Sequence, residues 1–318
     1  PWTLATHLFW GDVGAWYGVS WVILALGLLG VGALLALRQG WNAYSLPPLL
    51  IAHGLVVAGL LAGVSDPAVS SVSVGLAILF YLGAVILDRA FYEPAAPVLA
   101  RFAYPLAFLL PLWAVYLCLW RWPQATAANL ALVVWAFAVP LLAVGRRLAR
   151  WEPEYRWPFY LAAYSAALAA LGLAVGDLGT LTAVLFLNSA VAVLSVWLFR
   201  EPLWWYPATF LLPGAVWGVL GQIQGNELRH YGWSLMMLAG GYLAGAWALR
   251  RKDQHRYAKP LLVMTFVLVT SGLPLCSAGK ADAFVGYGMA VMVLTAAALW
   301  LRRPFIFSFA VALSAVPY

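Results

Sequence analysis

The sequence contains little charge and almost no cysteine. Its 318 residues include 18 Lys or Arg, 11 Asp or Glu and two Cys, while 65% of the residues are hydrophobic. A soluble chain of this length would form about two domains, and so few charged side chains would not cover their surfaces. The cysteines are too few for a disulfide scaffold, and the apolar content is too high for a disordered chain or a nucleic-acid-binding protein. The composition therefore predicts an all-α integral membrane protein with many transmembrane helices.

Apolar stretches as long as a membrane-spanning helix separate the charged residues. A hydrocarbon layer about 30 Å thick requires roughly 20 helical residues, and about 12 such stretches are present. The predicted spans are 15–37, 44–64, 68–87, 102–119, 125–145, 157–175, 179–199, 203–223, 231–249, 260–276, 283–301 and a short one from 304 to the end. Four spans carry an internal proline that predicts a kink. These prolines are Pro111, Pro140, Pro213 and Pro274.

Lys and Arg are concentrated in alternate gaps between the spans. Only Arg121, Arg229 and Lys280 fall in the other gaps. Since basic residues are enriched in cytoplasmic loops, we expect the basic gaps to be cytoplasmic and the N-terminal end to lie outside, as in a bacterial cytoplasmic membrane. The basic balance is then a topology signal, which anionic lipid would reinforce, and it predicts no nucleic-acid partner. The basic gaps hold Arg38, Arg89, Arg101, Arg146, Arg147, Arg150, Arg156, Arg200, Arg250, Arg251, Lys252, Arg256, Lys259, Arg302 and Arg303.

Three kinds of residue recur with a period of about 51 residues. A proline begins every second span, an arginine ends the next span, and a single acid occupies the turn between them. Proline fits the first helical turn because the backbone N–H groups there have no helical partner. Arginine suits a helix C-terminus, and an acid suits the N-terminus of the helix after the turn. The prolines are Pro48, Pro105, Pro158, Pro207, Pro260 and Pro304, the arginines are Arg38, Arg89, Arg146, Arg200, Arg250 and Arg302, and the acids are Asp12, Asp66, Asp177, Glu227 and Asp282.

This pattern predicts tandem parallel two-helix hairpin repeats, stacked as in a solenoid. Hairpins of membrane thickness also give a similar period without any duplication. The features that favour a true duplication are the phase of the prolines and a Gly-Asp-X-Gly string shared by 11–14 and 176–179. Because the first and last units are incomplete, we expect the sequence to be a window on a longer chain; signal cleavage before Pro1 is the alternative. The predicted units are 1–47 (partial), 48–101, 102–156, 157–203, 204–259, 260–303 and 304–318 (partial).

His53 is the one ionisable residue that lies clearly within a predicted span. Such a side chain is costly in hydrocarbon and is therefore a candidate for function. An imidazole there would ligate the metal of a haem or chlorin, or hydrogen-bond a quinone, and Gly54 would leave room for a flat ring. An interhelical hydrogen bond is the simpler alternative, because bis-histidine ligation needs a second buried histidine. The other histidines, His7, His230 and His255, fall in loops, and no other cofactor or metal site is predicted.

Several further residues are expected to serve packing. Cys118 and Cys276 lie near the outer ends of their spans, where we favour two small apolar side chains over a disulfide that would require the array to close. The polar segment 225–230 is expected to be a solvated turn. The polar residues predicted to make packing or helix-end hydrogen bonds are Asn129, Asn188, Gln222 and Gln224. The glycine pairs expected to allow close helix approach are Gly59 with Gly63, Gly172 with Gly176, Gly214 with Gly218, and Gly241 with Gly245.

The predicted spans contain no Asp or Glu, and the sequence shows no phosphate-binding glycine loop, metal-ligand cluster or long loop. These features disfavour an ion-coupled transporter and an enzyme. The sequence predicts a non-catalytic scaffold or accessory subunit that contacts membrane lipids and other membrane protein subunits. One alternative is a translocator of lipid or isoprenoid-linked substrates, with a groove lined by the four kink prolines. Another is a subunit that carries a pigment or quinone at His53.

Overall fold

The computed structural model describes residues 16–37, 42–64, 66–91, 101–150, 155–223, 228–277 and 280–315, and no β-strand occurs among them. The helices are α1 (Trp16–Leu37), α2 (Asn42–Gly63), α3 (Pro67–Phe91), α4 (Ala103–Arg121), α5 (Ala127–Trp135), α6 (Ala138–Leu148), α7 (Arg156–Ala174), α8 (Leu178–Phe199), α9 (Trp205–Ile223), α10 (Leu228–Arg251), α11 (His255–Cys276), α12 (Lys280–Leu301) and α13 (Pro304–Ser314). A 3₁₀ turn, Pro202–Trp204, precedes α9.

Each predicted span overlaps helical structure. Within the described ranges, nine segments are helical, long and apolar enough to cross a membrane, one of them formed by α5 and α6 together. The protein is therefore an all-helical, multi-pass integral membrane protein. Helices α9 and α10, with 19 and 24 residues, are also long but are not among these nine segments. Helix α13 is short, with 11 residues.

Proline acts differently at the four predicted kinks. Pro111, Pro213 and Pro274 lie inside continuous helices. The predicted span 125–145 is instead interrupted at residues 136–137, between α5 and α6. Pro140 accounts for this break, because its ring would clash with the carbonyl four residues earlier and it supplies no N–H. As the third residue of α6, it occupies a first turn in which the missing N–H costs nothing.

Two prolines expected to begin helices lie further inside them. Pro48 is the seventh residue of α2, and Pro260 is the sixth residue of α11. Both helices begin earlier than the apolar spans, at polar residues, because helical backbone continues beyond the hydrocarbon. The expectation holds for the remaining four, which lie in the first turn of a helix. They are Pro105, Pro158, Pro207 and Pro304.

Acids in the turns cap the helices that follow them, as predicted. The Asp66 carboxylate accepts hydrogen bonds from backbone N–H groups of the first turn of α3, the shorter at 2.8 Å. The Asp177 carboxylate accepts hydrogen bonds from the Thr180 N–H at 2.7 Å and the Thr180 hydroxyl at 2.5 Å, and these bonds lower the pKa of Asp177. Asp282 lies in the first turn of α12. Asp12 and Glu227 lie outside the described residues.

The turn without an acid has a different cap. Thr126 precedes α5, and its side chain accepts a hydrogen bond from the Asn129 N–H while the Asn129 side chain accepts one from the Thr126 N–H. This reciprocal arrangement is a capping box. Asn129 is therefore a helix-end partner, which is one of the two roles predicted for it.

The chain forms two compact units, residues 1–173 and 174–318. In the first unit, α1 packs most extensively on α2, and α3 packs on α4. Backbones of α1 and α2 approach closely at Gly18 and Gly59, where a Cβ on Gly59 would lie 2.6 Å from the Gly18 carbonyl oxygen. Helix α3 contributes the fully buried side chains of Phe80 and Tyr81.

In the second unit, the extensive pairs are α8 with α9, α10 with α11, and α12 with α13. Its core includes Leu235, Met236 and Leu268, all nearly inaccessible to solvent. The buried Cys276 packs against Gly232 of α10 and Gly286 of α12. Glycine is needed at these two positions because a Cβ would collide with the Cys276 side chain.

The most extensive helix pairs are joined by connections rich in arginine, which follow α1, α3, α8, α10 and α12. The predicted repeat units instead join helices through the turns on the opposite side. Contacts between α2 and α3, α9 and α10, and α11 and α12 are present but smaller. Packing alone therefore suggests hairpins offset by one helix from the predicted units, whose boundaries remain a prediction.

Three connections on the basic side of the second unit contain a residue with the same left-handed backbone conformation. Arg200, Asp253 and Arg302 follow α8, α10 and α12 with φ of 55°, 56° and 54°. After two of them, a backbone N–H returns to the helix: Gln254 donates to the Leu249 carbonyl and Arg303 to the Ala298 carbonyl. A left-handed residue with this hydrogen bond is a Schellman motif, which ends a helix and turns the chain.

Candidate functional site

His53 lies in the middle of α2 and hydrogen-bonds across to α3. Its Nδ1 lies 2.8 Å from the Tyr81 hydroxyl oxygen. Tyr81 is on the fully buried face of α3, and His53 is half-buried. A hydroxyl in hydrocarbon is stable only with a partner, so each side chain satisfies the other. This contact is the interhelical hydrogen bond that the sequence offered as the alternative to a cofactor ligand.

Aromatic rings surround this pair. The Phe102 ring lies 5.3 Å from the His53 ring and 5.8 Å from the Tyr81 ring, between centroids. The Phe80 ring lies 5.1 Å from the Tyr81 ring in an edge-to-face arrangement. Phe102 immediately precedes α4. Because its ring contacts the His53 ring, His53 lies beside the N-terminal end of α4. We call His53, Phe80, Tyr81 and Phe102 the His53 cluster.

Gly54 does not open the space beside His53. A Cβ on Gly54 would meet no atom within 4 Å, but consecutive helical residues point about 100° apart. The open space is therefore on a different side of α2 from Tyr81. The His53 Nε2 has no hydrogen-bond partner within the described part of the chain, and it is the nitrogen that a metal or quinone would use. A cofactor at His53 remains a prediction.

Asp88 is a buried acid that lies just outside the predicted span 68–87. It lies in α3, which continues to Phe91, and only 8% of its surface is exposed. The Tyr155 hydroxyl, at the start of α7, donates a hydrogen bond to its carboxylate. The available signal was spacing, since Asp88 follows Tyr81 by seven residues and therefore lies on the same helical face.

Several polar side chains in the second unit hydrogen-bond to neighbouring helices, whereas most of its Ser and Thr hydroxyls bond to carbonyls of their own helix. The Gln222 amide lies 3.2 Å from the Thr182 hydroxyl, which joins α9 to α8. The Ser189 hydroxyl donates to the Ala208 carbonyl across the same pair, at 2.8 Å. The Tyr242 hydroxyl donates to the Thr209 carbonyl at 2.9 Å, which joins α10 to α9. Gln222 thus has the predicted role, Asn188 is buried in α8, and Gln224 lies outside the described residues.

Not every predicted glycine pair marks a helix contact. Gly59 and Gly218 do, the latter because a Cβ there would collide with the Thr182 side chain. A Cβ on Gly172, Gly176 or Gly241 would meet nothing within 4 Å. Pairs of glycines four residues apart are common in a chain with 28 Gly, so this spacing is a poor predictor of helix contacts.

Both cysteines are free thiols, with Cys118 half-buried and Cys276 buried. Within the described ranges, no group of three or more His, Cys, Asp or Glu is arranged to hold a metal ion. Of the predicted polar turn 225–230, residues 225–227 lie outside the described residues. A guanidinium nitrogen of Arg229 lies 4.0 Å from a carboxylate oxygen of Asp282. The His230 ring packs against the Trp233 ring.

The described residues of the second unit line cavities, and three of these cavities bear on function. One of about 280 Å³ is lined mainly by apolar residues of α8, α9, α10 and α11 and includes Pro213. One of about 140 Å³ is lined by α11, α12 and α13. The largest, of about 550 Å³, lies beside Arg200. None of the three is lined by more than one kink proline.

The chain matches no protein-family model, and neither the curated proteins nor the solved structures gave a match. The candidate sites therefore stand on geometry alone. Around His53 that geometry is a hydrogen-bonded pair enclosed by aromatic rings, and elsewhere it is a set of hydrogen bonds that join helices.

Proposed function

We propose that this protein is a non-catalytic structural subunit, a scaffold or accessory component of a larger membrane assembly. The observation that carries the proposal is the use of polar side chains inside the helices. Tyr81, Ser189, Gln222 and Tyr242 each hydrogen-bond to a neighbouring helix. In hydrocarbon, such bonds each stabilise helix association by about 0.6 to 2 kcal/mol. A chain that uses its polar groups in this way is built for packing.

Large apolar side chains on the outside of the helices are consistent with this role. Trp197, Met237 and Phe305 are 80%, 68% and 82% exposed within the chain. Lipid covers some of this surface, and we propose that other membrane subunits cover part of the rest.

The proposal includes tandem hairpin repeats. Support comes from the left-handed residues Arg200, Asp253 and Arg302, whose spacings of 53 and 49 residues are close to the sequence period. The helix caps at Asp66 and Asp177 add a second landmark in the opposite turns of two units.

We further propose that the arginine-rich connections face the cytoplasm of a bacterial-type cell, as the positive-inside rule predicts. A cysteine introduced at Ala149 in a chain with Cys118→Ala and Cys276→Ala should be protected from a membrane-impermeant maleimide in intact cells. A cysteine at Gln124 should be labelled. The opposite pattern would reverse the orientation.

The structural role is tested by isolating the tagged protein in native membrane discs and weighing the particles by native mass spectrometry. We expect one or more other membrane proteins at fixed stoichiometry. Particles that contain only this chain and lipid would contradict the proposal.

A translocator of lipid or isoprenoid-linked substrates is the second candidate. The favouring observation is the apolar cavity beside Pro213, which has room for part of an acyl or prenyl chain. Purified protein in liposomes should then accelerate movement of a fluorescent lipid between leaflets, and Gly214→Trp should block it. The third candidate, a pigment or quinone at His53, requires an absorbance band or an extractable quinone that His53→Ala removes.

A further inference from the structure

A cavity opens among four helices of the second unit beside the arginine-rich connections. It lies between the C-terminal parts of α8 and α10 and the N-terminal parts of α9 and α11, with a volume of about 550 Å³. Arg200, Gln254 and Tyr257 contribute polar side chains to its wall. Arg200 and Gln254 are exposed, so their polar groups are accessible from the surface.

The backbone that carries Arg200 is held in place from a neighbouring helix. Arg200 has a left-handed conformation with φ of 55°. Its carbonyl accepts a hydrogen bond from the Tyr257 hydroxyl of α11 at 2.9 Å. A long arginine side chain therefore starts from a fixed point on the cavity rim.

The other side of the cavity is apolar and aromatic. Val196 and Trp197 of α8, Trp205 of α9 and Leu249 of α10 line it. The Trp197 ring is 80% exposed, while Trp205 packs against the core of the second unit. Tryptophan and arginine together are typical of the level at which lipid headgroups meet acyl chains.

The surrounding charge is positive. Segments 200–202 and 250–256 contain five basic residues and two acids, a net charge of +3 with His255 neutral. The basic residues are Arg200, Arg250, Arg251, Lys252 and Arg256, and the acids are Glu201 and Asp253. Basic residues at a membrane surface attract anionic lipids.

We propose that this cavity binds an anionic phospholipid, with the headgroup phosphate at Arg200 and an acyl chain along Val196 and Trp197. Gln254 supplies a further hydrogen-bond donor to the headgroup. Tyr257 is a positioning residue, since it acts through the Arg200 backbone. The two smaller cavities are lined mostly by apolar residues and offer no comparable selectivity for a headgroup. This inference does not rest on the structural role proposed above.

The test measures lipid binding to the purified full chain in detergent by native mass spectrometry. Phosphatidylglycerol and phosphatidylcholine with identical acyl chains are titrated separately. We expect tighter binding of phosphatidylglycerol, and we expect Arg200→Gln to weaken that binding about fivefold. Binding of phosphatidylcholine should not change.

Arg302→Gln is the matched control, because Arg302 ends α12 in the same left-handed conformation but does not line this cavity. It should leave the binding of phosphatidylglycerol unchanged. Tyr257→Phe keeps the charge and the ring but removes the hydrogen bond to Arg200, and we expect it to weaken binding roughly threefold. Thermal unfolding of each variant confirms that it is folded.

Three results would overturn the proposal. Equal affinity for the two lipids would remove the headgroup selectivity. Equal losses in Arg200→Gln and Arg302→Gln would show a general effect of surface charge. Displacement of the lipid by millimolar inorganic phosphate would show that the site recognises phosphate without the acyl chain.

Discussion

At the scale of single residues, several polar groups of the spans make hydrogen bonds that join neighbouring helices. A histidine in an apolar span suggested either a cofactor ligand or an interhelical hydrogen bond, and the structure pairs His53 with the Tyr81 hydroxyl. The sequence could identify His53 because its position in an apolar stretch is visible from hydropathy alone. It could not identify Tyr81, since 28 residues separate the two and only the packing of α2 on α3 brings them together.

Tyr81→Phe tests this pair. The ring stays in place while the hydroxyl is lost, so we expect a loss of stability of about 0.6 to 1.7 kcal/mol. Unfolding by SDS in mixed micelles measures the change. Tyr104→Phe is the control, because Tyr104 belongs to the same unit but is 40% exposed. Similar losses in both variants, or a gain in Tyr81→Phe, would mean that the hydrogen bond does not stabilise the fold.

At the scale of helices, hydropathy predicted where the helices lie but not how they pair. Charges delimit the spans because they are unfavourable within apolar helices, whereas several prolines lie inside helices. Pairing depends on side-chain shape, as at Gly18 and Gly59, where two backbones meet. The break before Pro140 was expected only as a kink, since sequence does not show whether neighbouring helices will hold a proline-containing helix together.

Gly59→Ala tests the closest approach of α1 and α2. A Cβ there would lie 2.6 Å from the Gly18 carbonyl oxygen and 2.8 Å from a Val22 methyl carbon. We expect a loss of about 1 to 3 kcal/mol, as for other overpacked cores. Gly54→Ala in the same helix meets no atom within 4 Å and should be neutral or slightly stabilising. A comparable loss in both variants, measured by SDS unfolding, would argue against the contact.

The left-handed helix ends give a second prediction at this scale. Asp253 has φ of 56°, a conformation that glycine adopts without strain. Asp253→Gly should therefore stabilise the protein by about 0.5 to 1 kcal/mol, whereas Asp253→Ala should not. Thermal unfolding in detergent compares the three chains. A gain of equal size in Asp253→Ala would assign the effect to the lost charge.

At the scale of the whole molecule, multi-pass membrane insertion followed from composition alone, because few arrangements satisfy backbone hydrogen bonds in lipid. Assembly does not follow from composition. Exposed apolar side chains such as Trp197 and Phe305 face either lipid or another subunit, and the hydropathy of a side chain does not distinguish the two. We therefore propose that the molecule acts by packing, and that the polar groups within its helices serve its own fold.

Complementation in the native host tests this claim most directly. The gene is deleted, and the abundance and activity of the co-purifying membrane complex are measured after restoration with wild type, His53→Ala, Arg229→Gln or Gly59→Leu. We expect His53→Ala and Arg229→Gln to restore the complex and its activity, and Gly59→Leu to lose both together. Loss of activity in His53→Ala or Arg229→Gln, with the chain folded and the complex intact, would contradict a purely structural role.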